Sequence, residues 1–317
     1  MIMPNFKFKH LLIGLAIVCA GCAADSPSDF GSPQEAVDTF VTALRAHDTE
    51  KLKAILGPGS DEILASGDEV SDRAEVQRFL EKYDAHHAFQ DDSNRGLVLV
   101  VGEDDWPFPV PLVKKEHGYD FDTAAGKQEI LDRRVGRNEL DAEQVCLAIV
   151  DAERDYVALN PTNATLPVYA RKIMSDADQK NGLYWPTGPD EAESPLGPLV
   201  AKAAGEGYHS TTRTANDPPP PYHGYRYRLL TKQGPNAKGG AIDYEVDGKL
   251  IGGFAVVAYP AEYGNSGITT FITNHDGVVY QRDLGQDTDK IAAAMTEFDP
   301  DSDWSVSTDS TQVSDAK

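Results

Sequence analysis

Cysteine is scarce in this chain, with three in 317 residues. Cys19 and Cys22 lie in the first 22 residues, so a disulfide framework is excluded as the source of stability. Positive charge is scarce too. Twenty-nine Lys and Arg face 51 Asp and Glu, a net charge of −22. Such a chain is repelled by phosphate backbones, which argues against a nucleic-acid partner. Long apolar runs are missing: the longest, residues 11–20, is half of what a bilayer-spanning helix needs. Catalytic and cofactor signatures are missing as well. There is no Gly-x-Ser-x-Gly, no His-Glu-x-x-His and no Cys/His metal spacing. The glycine-rich stretch 233–240 lacks the Gly-Lys-Ser/Thr of a phosphate loop. Asp299, Asp301 and Asp303 open like a calcium loop, but Trp304 stands where the sixth-position glycine is required. No cofactor and no metal are expected.

What is present begins with an export signal. Lys7 and Lys9 precede the apolar run 11–20, and Cys19-Ala20-Gly21-Cys22 closes it. The close resembles a bacterial lipobox, with Cys19 where leucine is usual. That resemblance implies cleavage after Gly21, lipid on Cys22, and no transmembrane helix in the mature chain. Ala23, in place of aspartate, points to the periplasmic face of the outer membrane. The expected partners are therefore the membrane, through the lipid, and an envelope protein. Cys146 is then the one thiol left, and a buried, inert state is expected for it.

The remaining chain reads as α+β in two modules. Residues 22–31 form a tether. Ser32 caps a helix with Pro33 in its first turn, and Val37, Phe40, Val41 and Leu44 form one apolar stripe. Helices over 49–56 and 71–83 follow, then strands at 96–101, 108–115 and 119–122. Pro107, Pro109 and Pro111 place the second of these strands at a sheet edge. Residues 127–140 are a charged connector. Its Arg133, Arg134 and Arg137 are a candidate anion clamp, or else a salt-bridged face. The longest helix is expected over 139–159, on the seam Val145, Ile149, Ala152, Tyr156 and Leu159. Short helices near 166–174 and after Ser194-Pro195 lead to strands at 222–230, 242–246, 254–259, 268–273 and 278–282. Asp247-Gly248 and Asp276-Gly277 mark hairpin turns. A helix over 287–298 closes the second module, 141–298, and 299–317 is a polar tail.

Two fold resemblances accompany this reading. The opening of residues 32–126 resembles NTF2-like modules, a helix-plus-curved-sheet domain. Residues 139–284 are similar to the heads of type IV pilins and pseudopilins, a long helix on an antiparallel sheet. A third resemblance is more specific. Asp104-Asp105-Trp106-Pro107-Phe108-Pro109, Gly182-Leu183-Tyr184-Trp185-Pro186, Tyr222-His223-Gly224-Tyr225 and Tyr259-Pro260-Ala261-Glu262-Tyr263-Gly264 resemble an uncharacterised bacterial family, domain of unknown function 2950. It implies an exported protein and supplies no activity.

Three functions compete on these grounds. The first is a lipid-anchored, non-catalytic binding or interaction module of the envelope. The second is a hydrolase-like enzyme with a cleft around His223 and His275. The third is a pseudopilin-like accessory of a secretion system. Candidate contact or cleft residues are Asp104, Asp105, Trp106, Tyr184, Trp185, His223, Tyr225, Glu262, Tyr263, Asn265, His275 and Asp276. Lipidation has a direct check. Cys22→Ala is expected to lose incorporation of radiolabelled palmitate and to move from the membrane to the soluble fraction; retained label would contradict it.

Overall fold

The structure is a computed structural model that describes residues 30–93, 95–188, 190–208 and 219–307. The signal segment, Cys22 and most of the tether lie outside them. The first half opens with α1 (Pro33–Ala46), α2 (Thr49–Leu56), α3 (Asp61–Leu64) and α4 (Glu69–Ala85). The Ser32 hydroxyl accepts from the Glu35 N–H and so caps α1 as expected. A sheet follows: β1 (His87–Asp92), β2 (Gly96–Val101), β3 (Trp106–Pro107), β4 (Leu112–Lys114) and β5 (Tyr119–Phe121), ordered β1-β2-β4-β5 with β3 also on β2. The expected edge strand 108–115 is corrected. The prolines, which cannot donate ladder bonds, shorten it to β4, and β4 lies between β2 and β5 rather than at an edge. Helix α3 and strand β1 escape a sequence reading because both are short or polar. Val37, Phe40, Leu44, Leu56, Leu99, Val101 and Phe121 share one core.

Helix α5 (Thr123–Leu159) is the spine. The expected start near residue 139 is wrong: the segment read as a connector is its first half. Asp122 caps it by accepting from the Ala125 N–H. Pairs one turn apart, Glu129 with Arg133 and Gln128 with Asp132, support turns that carry no continuous apolar stripe. A Cβ on Gly126 would come within 2.7 Å of Val110 Cα, so glycine lets α5 lie against the first half's backbone.

The second half continues with α6 (Gly197–Glu206), β6 (Tyr225–Leu230), β7 (Lys232–Gln233), β8 (Ile242–Asp243), β9 (Glu245–Val246), β10 (Lys249–Leu250), β11 (Ala255–Pro260), β12 (Thr269–Asn274), β13 (Tyr280–Asp283), α7 (Thr288–Ala294), β14 (Glu297–Phe298) and β15 (Ser305–Val306). Five of these strands form an antiparallel sheet ordered β15-β13-β12-β11-β6. Its period of two sorts the side chains. Tyr225, Tyr227, Val256 and Ala258 pack with Ile149 and Tyr156 of α5. Leu230, Ala255, Val257 and Tyr259 pack with Ala292 and Phe298 on the other face. Strand β11 is therefore buried along its whole length, which explains its unbroken apolar run. Three expectations fail. Residues 166–174 are not helical but form bridges at Tyr169 and Met174. The helix expected over 287–298 stops at Ala294 and gives way to β14. The segment read as a tail supplies β15, paired with β13, while 308–317 lie outside the described residues. The fold is mixed α+β, and among the described residues no helix is long and apolar enough to cross a membrane.

Glu153 of α5 is fully buried, and its Oε2 accepts from the Ala170 N–H at 2.8 Å. Burial pushes its carboxyl up to about 8 from an ordinary 4.5. The folded state therefore holds a proton that the unfolded state releases between these values. Glu153's contribution is complete below about pH 4.5 and is lost as pH rises through 8. Glu153→Gln is expected to flatten the fall in unfolding free energy between pH 5 and 8, worth a few kcal/mol in urea titrations. An unchanged slope would contradict it.

Candidate functional site

A cavity of about 380 Å³ opens in the first half, against the start of α5. Its walls come from six elements. Phe40 and Leu44 belong to α1, Leu56 to α2, Ile63 and Leu64 to α3, Val76 and Phe79 to α4, Trp106 to β3, and Ile130 to α5; Phe108, Pro109 and Val110 add to the apolar lining. Phe40, Phe79 and Phe108 pack on one another with ring centroids 5.2–6.1 Å apart. The volume falls at the lower end of small-molecule sites.

The charged lining is uneven. Arg133, Arg134 and Arg137 face the cavity together with Asp72 and Glu75. Arg133 pairs with Glu129, donates to the Pro107 carbonyl at 3.1 Å, and lies 4.8 Å over the Trp106 ring. Arg137 pairs with Glu75. Asp72 accepts from the Ser66 N–H at 3.0 Å. Arg134 differs. It is only 4% exposed and donates to the carbonyls of Glu62 and Ile63, each at 2.9 Å, and to Asn265 Oδ1. No carboxylate among the described residues lies within ion-pair distance of it, and its buried Nε–H has no acceptor. Burial draws its pKa below the ordinary arginine value, against the longer-range pull of Asp72, Glu75 and Glu262. So the three arginines of the expected clamp divide: two are paired, and one is a buried cation without a counter-ion in contact.

The other sequence candidates scatter. Asp104 holds Lys82 at 2.6 Å, which lowers its pKa, and Asp105 lies 3.8 Å from His86. Glu262 and Asn265 join the two halves: Asn265 Nδ2 donates to the Ala65 carbonyl and to Glu262 Oε2, both at 2.9 Å. Tyr263 donates to Asp283 at 3.1 Å. Tyr225 is buried and donates to the Thr269 carbonyl. Trp185 lies in the core against Tyr156. Tyr184 borders a second cavity of about 280 Å³ beside α6, with Ser194 and Ala201. His223 lies 3.2 Å from both Asp141 and Glu206. His275 packs on Tyr244 and Phe254, 4.0 Å from Asp276.

His223 and His275 do not meet. Register pairs Tyr225 with Pro260 at one end of β11, and Asn274 with Ala255 at the other. Five residues of strand, about 16 Å at 3.2–3.4 Å each, separate the two ends. The expected cleft around this pair is not formed. Cys146 is buried, and burial pushes its thiol far above the usual range, as expected for an inert group.

Sequence reading missed the cavity because its walls are ordinary core residues of six elements. It missed Asp68 for a similar reason: the residue looks like a helix cap. Asp68 Oδ1 does cap α4, but Oδ2 also accepts from the Tyr208 hydroxyl at 2.8 Å and the Gly224 N–H at 2.9 Å in the second half.

A family model described as a protein of unknown function, DUF2950, matches residues 28–307. This chain belongs to the DUF2950 family. No curated protein and no solved structure matches it. The NTF2-like and pilin-like likenesses thus gain no support from known folds. The match covers the cavity and both halves of the joint, so both lie within the family's extent in this DUF2950 chain. Asn265→Ala removes an acceptor from Arg134 and a donor from Ala65. It is expected to cost about 1–3 kcal/mol of unfolding free energy. A change below ~0.5 kcal/mol would show that the joint does not depend on this amide.

Proposed function

We propose that this protein is anchored by lipid on Cys22 to the periplasmic face of the bacterial outer membrane. There it binds, without transforming, a small apolar molecule in the cavity of its first half. One observation carries the reading: a cavity of about 380 Å³ walled by Phe40, Phe79, Trp106, Phe108 and aliphatic side chains, with a few charged groups at its side. An apolar cleft of this size is the usual form of a small-molecule site. The polar groups around it support binding over chemistry. Arg133, Arg137 and Asp72 are each held by an ion pair or a backbone hydrogen bond, as expected of groups that shape and orient. The anchor itself is supported by the signal segment and by Cys19-Ala20-Gly21-Cys22.

The test uses N-phenylnaphthylamine, an uncharged apolar fluorophore. Saturable one-site binding is expected for the full chain. Val76→Trp, which fills the cavity, is expected to weaken it at least tenfold while the melting curve stays cooperative. Equal binding by the variant, or none by the wild type, would overturn the reading.

A further inference from the structure

The cavity's charge says more than its shape. The chain as a whole carries a large excess of acid. Yet three arginines line this cavity, and one of them has no carboxylate in contact with it. Arg137 is matched by Glu75 within the cavity wall, and Arg133 by Glu129. Arg134 has neutral acceptors alone: two backbone carbonyls and the Asn265 amide oxygen. A guanidinium carries five N–H donors and remains charged in proteins. Here it is almost wholly buried, and Nε–H is left without an acceptor.

A buried cation whose only acceptors are neutral is costly, because carbonyl dipoles replace part of its hydration and none of its counter-charge. A ligand that brought one negative charge to Arg134 would relieve that cost. It would gain a charge-assisted hydrogen bond where a neutral ligand gains none. One guanidinium without a carboxylate in contact calls for one charge on the ligand. A dianion, such as a phosphate monoester, would meet Asp72 and Glu75 with its second charge. The walls around Arg134 call for an apolar remainder.

We propose that the cavity takes an apolar monocarboxylate, with the body among Phe40, Phe79, Trp106 and Phe108 and the carboxylate on Arg134. The proposal rests on the binding reading above and names the class of its ligand. Because Arg134 also holds the Glu62 and Ile63 carbonyls and Asn265, the carboxylate would join the same hydrogen-bonded cluster that links the two halves.

Two matched acid–amide pairs test this by calorimetry: decanoate with decanamide, and phenylbutyrate with its amide. Each pair has one shape and differs in charge. For the wild-type chain at neutral pH, at least one acid is expected to bind tenfold or more tighter than its amide. In Arg134→Gln that preference is expected to fall to less than threefold, with amide binding little changed. If acids and amides bind the wild type equally, the carboxylate proposal is overturned and the apolar site stands. If none of the four binds and N-phenylnaphthylamine also fails, the cavity reading itself falls. A preference retained in a folded Arg134→Gln would place the carboxylate elsewhere and overturn the assignment to Arg134. Should Arg134→Gln not fold, Val76→Trp serves in its place. It must lose the acid and the amide together, and acid binding that survives it would overturn the site.

Discussion

Everything in this molecule hangs on polar side chains buried where the first half meets the second. The buried Asp68, Arg134 and Asn138, with the half-buried Glu139, each reach backbone groups, a hydroxyl or an amide across that boundary. Asn138 donates to the Ser266 carbonyl at 2.8 Å, and Glu139 accepts from the N–H groups of Ile268 and Thr269. Polar networks of this kind fix one arrangement, because slipping by a residue would strand several more buried groups at once. Apolar contact alone would leave the two cores free to slide. Helix α5 makes the joint rigid, since it contributes three of the four residues and belongs to both cores.

The cavity is a consequence of the same construction. Helix α5 meets α4 through Arg137 and Glu75 and β3 through Arg133 and Trp106, and it brings Ile130 and the arginines to the cavity wall. Two of those arginines are neutralised locally. The third is committed to the joint and also lines the cavity, with its Nε–H unpartnered. Ligand site and joint therefore share a residue. A side chain that holds the halves together also sets the charge that a ligand meets.

Much of the fold was legible in the sequence. Ser32-Pro33 predicts the start of α1, the Asp-Gly turns predict two hairpins, and the alternation Tyr225-Arg226-Tyr227-Arg228 predicts which side chains of β6 share a face. The 123–138 half of α5 was not legible. Its turns are held by charged pairs and by Gly126 against Val110 rather than by an apolar stripe, so periodicity is silent there. Strand β15 was hidden by polarity, because an edge strand two residues long needs no apolar face. The site was legible only as an arginine cluster. Which arginine is paired depends on Glu129 from the same helix, Glu75 from another and Asn265 from a loop 131 residues away, and no local pattern encodes that.

Amide hydrogen exchange, with and without saturating decanoate, tests most directly whether site and joint are one cluster. If a carboxylate completes the shell of Arg134, exchange is expected to slow at Ala65, Asn265 and Ser266, whose amides lie at the joint, as well as on the cavity walls. Protection confined to the cavity walls, with the 260–267 loop exchanging as before, would contradict the account.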